Sequence, residues 1–199
     1  MKKIKLFECT LRDGTYAVDF MIDPMTFYNF AESLINTGFQ DIEVGHGLGL
    51  GAYRKHSADF TDIEVWEKLE PLNGKANLYS FYIPGIGNIE DMRIARKHGV
   101  YGIRIGSEPA SIKHHIQEIE EAKRLGYFVC LNLIKSYTVT PDGFAKIVEP
   151  YKDIVDVIYI VDSAGYMLPS ELKNYVDAIH QRSGMVTLGY HGHNNMGLA

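Results

Sequence analysis

The chain alternates short, almost wholly apolar runs with longer stretches in which apolar residues recur at helical spacing. The short runs are rich in β-branched and aromatic residues, as strands buried on both faces of a sheet are. Their ranges are 4–9, 40–44, 76–83, 102–106, 127–134, 154–161 and 185–191. The pattern therefore predicts seven strands.

The stretches between these runs carry helix start signals. Asp23 followed by Pro24 is a cap residue with proline at the first helical position, and Gly38 marks the end of that helix. Asn88 with Asp91 three residues later predicts another capped start. Three further prolines are each expected to open a helix, namely Pro109, Pro141 and Pro169. In total the pattern predicts six helices.

Strict alternation of strands and helices predicts parallel strands joined by right-handed crossovers. Two α/β architectures fit, an open doubly wound sheet and a closed (β/α) barrel. A complete (β/α)8 barrel usually needs about 250 residues, whereas this chain has 199. We therefore expect one domain over residues 1–199. If it is a barrel, it is incomplete after the seventh strand, either as a fragment of a longer protein or closed by self-association.

Composition narrows the function classes. The formal net charge of -5 argues against a nucleic-acid partner, because such binding needs a concentrated basic face. Polar and charged residues interrupt the N-terminal segment before any run long enough for a membrane span, so we expect a cytoplasmic protein. Cys9 and Cys130 lie far apart in apolar runs and are expected to be reduced, buried and not catalytic.

Polar residues gather where the predicted strands end, which is where both architectures place their active sites. They are Arg12, Asp13, Glu43, His46, Asn132, Asp162, Ser163, His191, His193 and Asn194. Side chains two residues apart at a strand end point the same way, so His191 and His193 can reach one cation. Asp13 would complete a two-histidine, one-carboxylate set for Mn²⁺, Mg²⁺ or Zn²⁺ if strand closure brought it near. A hydrogen-bonded pair of histidines and an ordinary Arg12–Asp13 ion pair are the alternatives.

Four ordered stretches carry a family resemblance: TLRDG at 10–14, IEVGHGLGLG at 42–51, VDSAGYMLP at 161–169 and HGHNNMGLA at 191–199. They resemble the DRE-TIM metallolyases, a group that includes 4-hydroxy-2-oxovalerate aldolases, HMG-CoA lyases and isopropylmalate synthases. The second and third stretches are most similar to the aldolase branch. The resemblance implies a (β/α)8 TIM barrel, here truncated after the seventh strand.

The resemblance also implies roles for individual residues. The ligands of a divalent metal, commonly manganese or magnesium in this branch, would be Asp13, His191 and His193. Arg12 would stabilise a pyruvate enolate, and Ser163 would help to hold the pyruvate carboxylate. Glu43 and Asp162 would support the substrate site, either directly or as buried carboxylates that orient Arg12 or a strand end.

One position departs from the aldolase branch, which usually carries a catalytic histidine where this chain has Tyr16. A phenol is a poor base at neutral pH unless its pKa is lowered. Tyr16 is therefore expected to act as a base with a lowered pKa or as a hydrogen-bond donor. His46 is the other candidate base, with a structural role as the alternative. The glycines of the same stretch, from Gly45 to Gly51, suggest a mobile lid.

The resemblance implies an aldolase or lyase that cleaves a 4-hydroxy-2-keto acid to pyruvate and an aldehyde. A condensing synthase acting on acyl-CoA and a 2-keto acid is the alternative, although that branch typically has glutamate and glutamine where this chain has Thr15 and Tyr16. A non-catalytic paralogue is a third possibility. An aldehyde dehydrogenase partner is implied by the resemblance alone, and self-association into a homo-oligomer is left open.

Overall fold

Six strands in sequence order form the framework of the computed structural model, which describes residues 4–195 and 197. The strands are β1 (Asp41–Glu43), β2 (Asn77–Tyr82), β3 (Gly102–Ser107), β4 (Phe128–Leu133), β5 (Val157–Asp162) and β6 (Leu188–Gly192). The β1–β2, β4–β5 and β5–β6 pairs are parallel. The chain divides into two compact units, one ending at Arg104 and the other beginning at Ile105.

Helices follow the strands as the pattern predicts. They are α1 (Thr10–Asp13), α2 (Pro24–Asn36), α3 (Asp62–Leu69), α4 (Ile89–Lys97), α5 (Ile116–Arg124), α6 (Pro141–Val148) and α7 (Pro169–Ser183). The six longer helices, α2 to α7, match the predicted number, although the sequence pattern named no start signal for α3, and α1 is a single additional turn. Asp23 caps α2 by accepting from two backbone N–H groups, and Asn88 and Asp91 cap each other reciprocally at α4. The α/β fold class is confirmed.

The prediction of a strand over residues 4–9 is wrong. Glu8 makes an isolated parallel bridge to Ile42, and no longer strand forms around it there. Ile4 and Leu6 are largely exposed. A strand requires a continuous ladder of pairs, and apolar composition alone does not provide one. The strand that was counted as seventh is therefore the sixth, β6.

The prediction that Pro109 opens a helix is also wrong. The backbone N–H of Ser111 donates to the carbonyl of Glu108, which forms a turn instead. A short 3₁₀ turn follows at Ile112–His114, and His115 has a non-helical backbone, so α5 begins only at Ile116. Ile119 and Ala122 of α5 are buried.

In the second unit the helices α6 and α7 pack on each other. Ile158 and Ile160 of β5 are buried, and the ring of Phe144 on α6 meets that of Tyr175 on α7 edge to face at 5.5 Å between centroids. Aromatic pairs of this geometry add to the stabilisation that burial alone provides. None of the helices in the described residues combines the length and the apolar content needed to cross a membrane.

Candidate active site

A buried charge cluster in the first unit holds Arg12. Its Nε donates to Glu43 Oε2 over 2.8 Å, and Nη1 of Arg104 donates to the same oxygen over 2.6 Å. The guanidinium of Arg12 also lies over the ring of Phe81, 4.5 Å from the centroid. Since Glu43 is fully buried and Arg12 is only 5% exposed, their relative position is closely constrained. Glu43 thus orients Arg12, as one of the two sequence interpretations proposed.

Arg12 also contacts the candidate metal ligand that follows it. Its Nη1 donates to Asp13 Oδ1 over 2.6 Å, and Asp13 is partly exposed. Burial alone would lower the pKa of Arg12, but the charges of Glu43 and Asp13 outweigh burial and raise it. Arg12 is therefore a cation at neutral pH. The hydroxyl of Thr15 donates to the Arg12 carbonyl over 2.6 Å and fixes the turn that carries both side chains.

Tyr16 lies next to this pair and is 46% exposed. Burial of its inner face raises the pKa of the phenol, and the opposing effect of Arg12 is smaller. The idea that the site lowers this pKa is therefore not supported, and the phenol is suited to donating a hydrogen bond. Its ring packs on Gly47, where an added Cβ would lie 2.6 Å from Tyr16 Cε2. A side chain at position 47 would therefore displace this ring.

His46 occupies a buried aromatic pocket. Its ring stacks on Phe20 with 3.9 Å between centroids, and its Nδ1 accepts from the backbone N–H of Leu48 over 3.1 Å. Burial, followed by the nearby His56, lowers the pKa of His46, so the ring is neutral at pH 7. The side chain is fully buried. These features favour the structural role that the sequence left open, namely anchoring the loop after β1.

The glycine-rich loop after β1 is fastened to two helices. The backbone N–H of Gly51 donates to Asp62 Oδ2 at the start of α3 over 2.6 Å. Arg54 donates twice to the carboxylate of Asp91 on α4, over 2.8 and 2.6 Å. Burial raises the pKa of Asp62 to about 6. A loop held by a bidentate ion pair and a buried carboxyl argues against the mobile lid suggested by its glycines.

In the second unit, Asp162 organises the turn after β5. Its Oδ1 accepts from the N–H of Gly165 over 3.0 Å, and its Oδ2 accepts from the N–H of Met167 over 2.7 Å. The hydroxyl of Tyr190 reaches Oδ2 at 3.4 Å. Asp162 is 1% exposed, so these bonds satisfy a charge that could not otherwise be buried.

The two histidines at the end of β6 lie side by side, with ring centroids 5.1 Å apart. Nδ1 of His193 is 2.9 Å from the backbone carbonyl of Asp162. Because a carbonyl only accepts, this contact assigns the ring proton to Nδ1 and leaves Nε2 as the atom able to bind a metal. Asp162 thus sets the tautomer of His193 through its main chain.

Ser163 is placed by a neighbouring loop. Its Oγ accepts from the backbone N–H of Lys135 over 3.0 Å, and Lys135 has a left-handed backbone with a φ of 54°. The ammonium of Lys135 pairs with Glu108. The bond to Oγ leaves the hydroxyl group of Ser163 able to donate a hydrogen bond.

Two buried residues escaped assignment from the sequence. Arg104 was missed, although an arginine inside the apolar run GIRIG is itself a signal of a buried ion pair. Asn132 was noted at a strand end without a role, and it is 2% exposed.

Both cysteines are free thiols, Cys130 being buried and Cys9 only partly so. Burial raises the pKa of Cys9 to about 11, which agrees with a non-catalytic role.

Enzymes with (β/α) folds carry their active sites at the carboxyl ends of the parallel strands. The polar residues of this framework lie at those ends, so the chain has the architecture of this class. The chain belongs to the HMGL-like family, whose model matches residues 3–199. It is 34% identical over 203 residues to a 4-hydroxy-2-oxovalerate aldolase of Carboxydothermus hydrogenoformans, covering 100% of this chain and 60% of that protein. A protein of the same name from Pelotomaculum thermopropionicum is 35% identical, with 99% and 59% covered. The chain thus spans about three fifths of the length of these relatives.

Solved structures support the fold. Hydroxymethylglutaryl-CoA lyase from Pseudomonas aeruginosa superimposes with a TM-score of 0.82 at 16% identity, covering 98% of this chain and 70% of that one. The carboxyl transferase domain of Rhizobium etli pyruvate carboxylase gives a TM-score of 0.79 at 15% identity, covering 100% and 37%. The chain therefore has the fold of a (β/α) barrel of this family, with six of its strands in the described residues.

Proposed function

We propose that this protein is a divalent-metal-dependent aldolase that cleaves a 4-hydroxy-2-keto acid to pyruvate and an aldehyde. The observation that carries the proposal is Arg12, a permanent cation held rigidly by Glu43 and in contact with the carboxylate of Asp13. A fixed cation beside a metal-ligating carboxylate suits a reaction in which negative charge develops on a bound keto acid. The relatives named 4-hydroxy-2-oxovalerate aldolase support the same reaction over the condensing synthase.

The metal would be held by three side chains, Asp13, His191 and His193. These three form a group among the described residues that offers one potential ligand atom each. One carboxylate and two imidazoles are a donor set that divalent cations accept, with Mn²⁺ favoured and Mg²⁺ or Zn²⁺ as alternatives. The protonated Nδ1 of His193 fits this assignment, since it directs Nε2 to the ion. When bound, the ion would act as a Lewis acid on the keto group.

The other polar residues would bind and orient the substrate. Arg12 places its positive charge where the enolate of pyruvate develops, and Glu43 keeps the guanidinium in that position. The hydroxyl of Ser163 donates a hydrogen bond to the substrate carboxylate. Asp162 acts indirectly, because it holds the turn that carries Ser163 and the carbonyl that fixes His193.

Tyr16 and His46 receive different roles. Tyr16 stays protonated because burial raises its pKa, and it donates a hydrogen bond beside Arg12. His46 is neutral, as a base must be, but its ring is buried against Phe20. We therefore assign His46 to positioning the loop that packs under Tyr16 rather than to proton transfer.

The proposal is tested by pyruvate release. Purified protein with Mn²⁺ is incubated with 4-hydroxy-2-oxopentanoate, and pyruvate is followed through lactate dehydrogenase and NADH. We expect turnover that chelation with EDTA abolishes and that Arg12→Ala reduces by roughly hundredfold or more. The control variant is Arg93→Ala, which changes an exposed arginine on α4. Thiol release from an acyl-CoA without pyruvate formation would instead identify the synthase.

Location and assembly complete the proposal. A cytoplasmic location is supported by the polar and charged residues that interrupt the N-terminal segment. An aldehyde dehydrogenase partner is supported by the family resemblance alone, and self-association into a homo-oligomer stays open. Transfer of the product aldehyde would be seen as acyl-CoA formation when a candidate dehydrogenase is added with NAD⁺ and coenzyme A. Gel filtration of the purified chain measures its oligomeric state.

A further inference from the structure

Asn132 is a buried polar side chain near the carboxyl end of β4. It is 2% exposed, and its Oδ1 is fully buried without a hydrogen-bond partner among the described residues. A buried acceptor left without a donor opposes folding, and the flanking Leu131 and Leu133 show that this strand otherwise selects apolar residues. In folded proteins a buried acceptor of this kind is satisfied by an ordered water or by a ligand.

The register of the sheet places Asn132 on the face that carries the histidines. Asn132 pairs with Tyr159 in β5, and Tyr159 pairs with Gly189 in β6. Paired residues in parallel strands share a face, and His191 lies two residues beyond Gly189 on that face. Asn132 therefore lies on the same side of the sheet as His191, one row nearer the strand starts.

Gly189 leaves space for the ring of Tyr159, which lies in β5 between Asn132 of β4 and Gly189 of β6. An added Cβ at Gly189 would lie 2.4 Å from Tyr159 Cε1, so the tyrosine ring leans across the position where β6 has no side chain. In this row of paired residues, Asn132 contributes a carboxamide, Tyr159 contributes an aromatic ring and Gly189 contributes no side chain. Within this row, Oδ1 of Asn132 is a buried acceptor without a hydrogen-bond donor among the described residues.

We propose that Asn132 recognises the hydroxyl group of the substrate, an inference that rests on the proposed function. In a 4-hydroxy-2-keto acid, the carboxylate and keto oxygens only accept hydrogen bonds, and the hydroxyl is the one donor. Oδ1 of Asn132 lacks a donor, so the two groups are complementary. Asn132 is then a specificity-determining residue that separates hydroxylated from plain 2-keto acids, because a buried polar group left unpaired discriminates strongly against the analogue that lacks its partner.

The test compares two ligands that differ only in this hydroxyl, 4-hydroxy-2-oxopentanoate and 2-oxopentanoate. Asn132→Leu removes the acceptor at similar volume, and Asn29→Leu on the exposed side of α2 is the matched control. With Mn²⁺ present, we expect Asn132→Leu to lower kcat/KM for the hydroxylated acid by roughly tenfold or more. The dissociation constant of 2-oxopentanoate, measured calorimetrically, should stay within about twofold of wild type.

Thermal melting of the metal-free protein gives a second readout. Removing an unpaired buried acceptor should raise Tm by about 2–4 °C, whereas loss of a structural residue would lower it. Equal losses for both ligands, no loss for either, or a lower Tm would overturn the assignment of Asn132. If the wild-type protein releases pyruvate and the variant does so equally well, the proposed function survives and this inference does not. A wild-type protein that neither binds 2-oxopentanoate nor releases pyruvate overturns both.

Discussion

Arg12 and Glu43 form a buried ion pair in which Glu43 Oε2 also accepts from Arg104. One carboxylate oxygen therefore serves two guanidinium groups, and each cation lies over an aromatic ring, Arg12 on Phe81 and Arg104 on Phe7. Such a cluster stabilises the fold only when all of its members are present, because each buried charge depends on the others. The same dependence makes it a rigid support for the cation that the proposed chemistry needs.

Replacing Glu43 with glutamine should therefore affect both stability and catalysis. The neutral amide leaves two buried cations without their shared counter-charge, and we expect the free energy of unfolding to fall by about 3–5 kcal/mol. Urea denaturation measures this change. Asp177→Asn, which breaks an exposed ion pair with Lys173, should cost within about 0.5 kcal/mol. A Glu43→Gln protein as stable as the control would contradict the role given to this cluster.

Asp62 should make the stability of the protein depend on pH. Burial raises its pKa in the folded state to about 6 from an ordinary value of 3.8. The folded state therefore binds the proton more tightly than the unfolded state, so this contribution is present below pH 4 and is lost as the pH rises through 6. Two pKa units correspond to about 3 kcal/mol.

The variant Asp62→Asn tests this sign. Asparagine is neutral at every pH, and its Oδ1 can still accept from the N–H of Gly51. We expect the variant to match wild type near pH 4 and to exceed its unfolding free energy at pH 8 by up to about 3 kcal/mol. Asp59→Asn, at an exposed position three residues before Asp62, should change the unfolding free energy little at either pH. A variant that is less stable than wild type at pH 8 would reverse the conclusion.

Tyr16 should not govern the pH dependence of turnover. Because burial raises its pKa, the phenol stays protonated from pH 6 to pH 9. We expect Tyr16→Phe to lower kcat by less than about tenfold and to leave the shape of the pH–rate profile unchanged, since loss of a general base typically costs 10²–10⁴-fold. Steady-state kinetics across that range provide the measurement. Disappearance of an inflection below pH 9 would identify Tyr16 as the base.

The local sequence pattern was sufficient to predict most of the strands and helices. The apolar run over 154–161 predicts β5, and the Asp23–Pro24 signal predicts α2, because both depend on residues adjacent in sequence. The segment around Glu8 failed, since whether an apolar run becomes a strand is decided by its pairing partner. Pro109 failed because a turn between Glu108 and Ser111 used the same residues differently.

The candidate site could be predicted only where its chemistry is local. The spacing of His191 and His193 can be read directly, and the structure adds that the carbonyl of Asp162 sets the tautomer of His193. The role of Arg104 depends on Glu43, 61 residues away, and no local pattern records that pair. The buried position of His46 likewise depends on stacking with Phe20. Long-range packing thus accounts for what the sequence could not supply.

The central claim is that Asp13, His191 and His193 bind a single divalent ion. Calorimetric titration of the metal-free protein with Mn²⁺ tests it most directly, with His114→Ala, an exposed histidine near α5, as the control. We predict one equivalent of Mn²⁺ in the wild-type and control proteins, and an affinity at least roughly hundredfold weaker in His193→Ala and in Asp13→Asn. Binding of one equivalent at unchanged affinity in either of those two variants would contradict the account.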